Sequence, residues 1–247
     1  MDHRDAAYQT YAEFKAWTGA QASADGETYS IELRRAGLKL GAKILEIGFG
    51  DGQFLDWAAK EGYDVAGVEI IEELVTSARR RGHKVFHGIA QTALKGTTGR
   101  FDLIVAFDVL EHLTVNELLD LMQFAKSLLT PEGRILARFP NGASPFSGPY
   151  QNGDITHMVA LTGERMRQIA HGVGMQVIGI HNAARSRKAG KAHGRLKKLS
   201  GYLVRDLVEK ALGMLYFGQP IPLDPNLTVI LSKTARSFGD DLPVHDG

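Results

Sequence analysis

Two sets of residues in this 247-residue sequence have types and spacings suited to chemistry. The first is the run Glu46-Ile47-Gly48-Phe49-Gly50-Asp51-Gly52. Its three glycines let the backbone turn sharply and let a ligand approach where a Cβ would clash. A dinucleotide site would seat a pyrophosphate on such a turn and on the helix N-terminus behind it. Here the turn carries Glu46 and Asp51, whose charges oppose a pyrophosphate and favour a ligand bearing an ammonium and a sulfonium but no phosphate. The glycine spacing also departs from G-x-G-x-x-G, because the third falls one residue early. Further along, Glu69 ends a second apolar run, placed to accept hydrogen bonds from ribose hydroxyls.

The second set is Asp108, Glu111 and His112, joined by Asp154 and His157 from a later Gly- and Pro-rich stretch. If the chain turns helical after Asp108, spacings of three and four put the first three on one face. Two chemistries fit. In one, an imidazole takes the proton of an acceptor hydroxyl, with His157 the preferred base and His112 and Asp154 beside it. In the other, Asp108, Glu111, His112 and His157 bind a divalent cation (Mg²⁺, Mn²⁺ or Zn²⁺) that acidifies a coordinated hydroxyl.

These residues need a sheet to hold them. Apolar, β-branched runs at 43–48, 64–70, 84–88, 101–108 and 134–139 alternate with helical patterns at 52–61, 71–81 and 114–129. That alternation predicts parallel strands with crossover helices, the strands buried on both faces. Thr114 followed by Glu117 reads as a capping box and sets the start of the third helix. Residues 140–157 read as a long loop, followed by a helix over 163–172, strands over 176–181 and 227–233, and an amphipathic stretch over 199–217.

From about Lys43 to Phe139 the sequence resembles class I S-adenosylmethionine-dependent methyltransferases, on the E-x-G-x-G-x-G turn, the acid ending the second strand, and FDLIVAFDVLEHL. The resemblance implies an α/β, Rossmann-like fold with a seven-stranded, mostly parallel sheet, helices on both faces and an antiparallel last strand. It implies that Glu46, Gly48, Phe49, Gly50 and Gly52 surround the methionine moiety of S-adenosylmethionine and that Glu69 holds the ribose beside Ile70. Gly88 and Ile89 would border the adenine, with Phe107 and Asp108 completing the cofactor contacts. The later stretch RFPNGASPFSGPYQNGDITH and the final LDPNLTVILSK are similar to methyltransferases of bacterial polysaccharide and glycan assembly, which implies O-methylation of a sugar hydroxyl. The carboxylate-x-x-Glu-His pattern is similar to small-RNA 2′-O-methyltransferases, and in part to ubiquinone-pathway enzymes. A small-molecule phenol or quinone precursor and an RNA 2′-hydroxyl therefore stand as alternative acceptors, nucleic acid being the less favoured. A binding module without activity is disfavoured by the paired histidines.

Composition sets the remaining bounds. Hydrophobic residues at 44% and charged residues at 23% suit one globular domain rather than two. The absence of cysteine excludes disulfides and thiolate metal sites. No signal peptide or membrane span is recognised, so the expectation is a cytoplasmic protein, with peripheral attachment to the inner membrane face as a variant. Arg185 to Lys198 carries seven basic residues and no acid; against a net charge of +1, the rest of the chain sums to −6. This basic, amphipathic insertion at 185–220 could meet an anionic membrane or an acidic polymer. Packing on the domain or on a second subunit of a homodimer is the favoured reading. Residues 1–40 read as an N-terminal helical cap with a stripe of Tyr8, Tyr11, Phe14 and Trp17, residues 41–234 as the catalytic domain, and 235–247 as a loose tail.

Overall fold

The computed structural model describes residues 22–98, 100–186 and 192–233. The aromatic stripe at 8–17, the basic residues 187–191 and the tail lie outside them. A helix, α1 (Ala22–Arg35), leads into β1 (Lys43–Ile47), α2 (Gln53–Lys60), β2 (Asp64–Glu69), α3 (Glu72–Arg80), β3 (Lys84–His87), the single turn α4 (Ala90–Ala93) and β4 (Phe101–Phe107). A 3₁₀ turn (Leu110–His112) then precedes α5 (Val115–Leu128), β5 (Leu129–Pro140), the short α6 (Gly148–Gln151), α7 (Gly163–Gly172), β6 (Gln176–Asn182), α8 (Ala192–Phe217) and β7 (Asn226–Ser232).

The strands form one sheet in the order β3-β2-β1-β4-β5-β7-β6. The first five run parallel, and β7 lies antiparallel between β5 and β6. Alternating side chains explain why these strands read as unbroken apolar runs. Leu45, Ile47, Ile104 and Ala106 face a core shared with α5 and α7. Ile44, Leu103, Val105 and Phe107 face a second core, built with α1, α2 and α3. With both faces covered, neither parity of position can be polar unless it has a job. Glu46 shares the parity of Ile44, so its carboxylate is an exception that needs a reason.

The sheet matches the seven-stranded, mostly parallel expectation, and the capping box at Thr114 and Glu117 is present. The expected stretch 199–217 lies in α8, which begins earlier, at Ala192, and two further details differ. β5 begins at Leu129 rather than 134, because the chain leaving α5 pairs with Phe101 before a bulge, then rejoins β4 at Arg134. Gly133 permits that detour: a Cβ there would lie 2.9 Å from the Phe101 carbonyl oxygen. The stretch 140–157 is also not all loop, since α6 forms within it.

Candidate active site

Parallel strands aim their carboxyl ends at one edge, and open α/β sheets bind ligands there. At the end of β1, Gly48, Gly50 and Gly52 have φ of 68°, 55° and 83°, the left-handed region that residues with a Cβ rarely enter. Gly48 is also sterically required, because a Cβ there would sit 2.5 Å from Val109 Cγ2. The segment leaving β4 therefore rests directly on the glycine turn. Phe49 turns its ring into the core over Gly67 of β2, where a Cβ would come within 2.6 Å of it.

Glu69 pins this turn. Its Oε2 accepts from the Gly50 amide at 3.0 Å, and its Oε1 accepts from the amides of Ile70 at 2.7 Å and Ile71 at 3.1 Å. Burial pushes its pKa up, and the three amide donors oppose that rise. One carboxylate thus fixes the bends after both β1 and β2. Beside it, Ile70 and Ile89 are exposed although apolar. The register Glu69↔His87 sets the ends of β2 and β3 side by side, so these two residues follow neighbouring strand ends.

Glu46 is buried, and its Oε2 has no hydrogen-bond partner. Burial, then the charges of Glu69 and Asp51, push its pKa well above the usual carboxylate range. Asp51 is engaged locally, accepting from Gln53 N at 3.3 Å and Gln53 Nε2 at 2.7 Å. A buried, unpartnered carboxyl under a left-handed glycine turn, with two more acids nearby, suits a cationic ligand and would repel a phosphate. By this test the residues present fit the ammonium and sulfonium of S-adenosylmethionine.

Asp108 departs from the expectation. Among the described residues it is the only non-glycine with positive φ, 57°. Its carboxylate is ion-paired with Arg138 on the neighbouring strand β5. That guanidinium sits 4.7 Å over the Phe107 ring, which stacks on Tyr29 at 5.9 Å. Burial alone would lower the Arg138 pKa, but Asp108 more than offsets it and the net shift is upward. The left-handed bend breaks the helical phase that would have aligned Asp108 with Glu111 and His112. The four-residue metal set therefore reduces to three: Glu111, His112 and His157 offer ligand atoms within 4.8 Å of one another.

Two backbone hydrogen bonds bring the later loop onto this 3₁₀ turn: the amides of Met158 and Val159 donate to the Glu111 carbonyl at 2.8 and 3.2 Å. The His112 and His157 rings then meet edge to face, with centroids 4.7 Å apart. Thr156, which sequence reasoning passed over, joins them. Its hydroxyl lies 2.5 Å from Asp154 Oδ1 and 2.8 Å from His112 Nδ1. The hydroxyl has one proton, and the carboxylate is its acceptor, so His112 Nδ1 must be the protonated nitrogen donating to Thr156 Oγ1. His157 Nδ1 faces the Gln151 carbonyl at 2.9 Å, which can only accept. Both histidines are thereby held, when neutral, as Nδ1–H tautomers, and the lone pair of His157 is placed on its Nε2. His157 Nε2 lies 3.9 Å from Glu111 Oε1 and 4.0 Å from Asp154 Oδ2, in a nearly solvent-free setting. The sequence signal for Thr156 was the D-x-T-H spacing, an Asp that caps its own turn through the Thr156 amide at 3.0 Å.

Comparison with known proteins agrees with this architecture. The family described as "Methyltransferase domain" matches residues 23–179. A ubiquinone biosynthesis O-methyltransferase of Actinobacillus pleuropneumoniae serotype 7 (strain AP76) is 28% identical over 113 residues, 42% of this chain and 47% of that protein. The chain thus spans about half the length of this curated relative. A SAM-dependent methyltransferase from Archaeoglobus fulgidus superposes with a TM-score of 0.59 at 21% identity, covering 83% of this chain and 93% of the other. A TehB-like SAM-dependent methyltransferase from Corynebacterium glutamicum ATCC 13032 Kitasato gives 0.56 at 18% identity, covering 94% and 98%. Identities this low speak for the fold alone, whereas the family match covers well over half of the chain. The acid-bearing glycine turn, the carboxylate that ties it to β2 and the matched family agree: the chain belongs to the methyltransferase-domain family.

Proposed function

We propose that this enzyme methylates an acceptor hydroxyl, with His157 as the base. The cofactor would lie along the carboxyl edge of the sheet, its cationic end against Glu46 and the turn Gly48–Gly52, its ribose at Glu69 and its adenine between Ile70 and Ile89. Bound there, S-adenosylmethionine supplies an electrophilic methyl group. The observation that carries the hydroxyl reading is the pair of buried imidazoles whose Nδ1 atoms are both committed. His157 Nε2 can receive the acceptor's proton, which would then rest beside Glu111 and Asp154.

The acceptor side has apolar walls: Tyr150, Ile155 and Met158, on or just after α6, are exposed around the histidine loop. They suit an acceptor with an aromatic or apolar body, a phenol or quinone precursor, which also agrees with the activity of the Actinobacillus relative. A sugar hydroxyl on a polysaccharide or lipid-linked glycan is the competing acceptor. Isotope-labelled methyl transfer measured on a catechol and on a free oligosaccharide tests the choice. Turnover on the sugar alone would reverse it.

A second reading rests on the three ligand atoms of Glu111, His112 and His157, an oxygen and nitrogen set able to hold Mg²⁺, Mn²⁺ or Zn²⁺. Exhaustive chelation is the discriminating measurement, read both as metal content and as turnover. Undiminished turnover by metal-free enzyme supports the unassisted base. Turnover that disappears and returns only with added cation supports the metal.

Glu46 makes cofactor binding pH-dependent. Its raised pKa lets the free enzyme keep a proton there to higher pH than an ordinary carboxylate would, and an arriving cation favours the carboxylate. Binding should therefore release a proton, and affinity should rise with pH through the raised Glu46 pKa and then level off. For stability of the free protein the sign is opposite: a carboxyl with an upshifted folded pKa stabilises fully below its unfolded pKa and loses that contribution as pH rises through the folded one. Calorimetry in buffers of different ionisation enthalpy reads the proton directly, and Glu46→Gln should abolish it. A buffer-independent heat in the unmodified enzyme would contradict the assignment.

A further inference from the structure

Helix α8 is attached to the domain the wrong way round. Its polar face points inward: Arg205 Nη2 donates to Asp224 Oδ1 at 2.6 Å, and Glu209 accepts from Asn182 Nδ2 at 2.7 and 2.8 Å and from the Leu223 amide at 2.9 Å. Asp206 accepts from Arg185 Nη1 at 2.6 Å. Gly213, buried on the same side, lies so close to the backbone of Gln219 and Pro220 that a Cβ would come within 2.8 Å of the Gln219 carbonyl oxygen. The opposite face carries Leu203, Leu207, Met214 and Leu215, flanked by Val204 and Val208, all exposed; Leu207 is 68% and Leu215 75% accessible. At 100° per residue these six fall within one side of the helix. Tyr216 and Phe217 end it, also exposed.

From this we infer that α8 is a docking surface for an anionic lipid membrane. Three observations choose that occupant. Arg187, Lys188, Lys191, Arg195, Lys197 and Lys198 directly precede the stripe in sequence, so the chain couples a dense run of positive charge to an apolar one. This pairing, with aromatic residues at the far end, suits a helix lying in the plane of a charged headgroup layer. Val204 and Val208 also border, with Phe146 and Leu223, a mainly apolar cavity of about 360 Å³ that continues the stripe towards the domain and could receive hydrocarbon. A second copy of the chain fits less well: the stripe and its aromatic end supply eight residues, against the roughly 20–30 per side of a stable protein interface. No helix among the described residues is long and apolar enough to cross a membrane, so the attachment is peripheral. The inference does not depend on which acceptor is methylated.

The test is vesicle flotation of the full chain, with phosphatidylcholine alone and with phosphatidylcholine containing phosphatidylserine. Binding should be roughly tenfold or more stronger on the anionic vesicles and should weaken with salt. Leu207→Asp combined with Leu215→Asp should abolish it while leaving methyl transfer to a soluble acceptor unchanged. If that variant does not fold, Lys197→Glu with Lys198→Glu provides the second arm and should reduce binding several-fold. Equal or absent binding to both vesicle types overturns the proposal. So does a dimer in sedimentation equilibrium that the leucine substitutions dissolve, because α8 would then be a subunit contact.

Discussion

Glu69→Ala should lower S-adenosylmethionine affinity by about 100-fold or more, because one side chain organises the whole cofactor edge. Its loss leaves three amides, those of Gly50, Ile70 and Ile71, without their acceptor. An unsatisfied buried donor costs roughly 1–3 kcal/mol, and about 2.7 kcal/mol already corresponds to 100-fold in affinity. Relaxation and water will recover part of that cost, but Gly50, in the middle of the left-handed turn, then loses its tie to β2. Glu69→Gln, which keeps one accepting oxygen, should fall between the alanine variant and the unmodified enzyme. Titration calorimetry measures the affinities, and circular dichroism establishes that the variants fold. An alanine variant that binds normally would place the cofactor elsewhere.

His157→Ala should reduce kcat by roughly 10²–10⁴ while cofactor affinity stays within about twofold, the signature of a general base rather than a binding group. Thr156→Val should act more mildly, by about tenfold in kcat. It touches the chemistry through His112, whose Nδ1 would lose its acceptor and whose tautomer would no longer be fixed, and through Asp154, which would lose the hydroxyl that donates to it. A change in the pH profile separates this positioning role from simple destabilisation, which would leave the profile's shape alone. Equal losses of turnover and cofactor affinity in the His157 variant would instead mean that the histidine loop is structural.

Much of this was legible in the sequence, for specific reasons. Strands buried on both faces must be apolar at every position, so β1, β2 and β4 stand out as runs, and Glu46 and Glu69 stand out as exceptions within them. Thr114 and Glu117 fix the start of α5 because capping is local chemistry. What was not legible depends on contacts between distant segments. Nothing about an aspartate announces a positive φ, so the helical spacing from Asp108 to His112 assumed a phase that the chain does not keep. Its partner Arg138 lies thirty residues away on another strand. Thr156 gains its role only when Glu111 ties the later loop down. For α8, periodicity revealed two faces but not which one the domain would take. The ion pairs to Asp224 and the hydrogen bonds from Asn182 decide it, and they turn the leucines outward.

The antiparallel strand β7 has a consequence for biosynthesis. β6 has a single neighbour in the sheet, and that neighbour is translated about 50 residues later. While a ribosome works through α8, the newly made β6 and the outer side of β5 are both bare edges, the feature that makes nascent chains stick to one another. Only when residues 226–232 emerge can they slide between the two and close the gap. A message cut short anywhere in between would thus yield an adhesive fragment, a client for chaperones and proteases, and not a weakened enzyme.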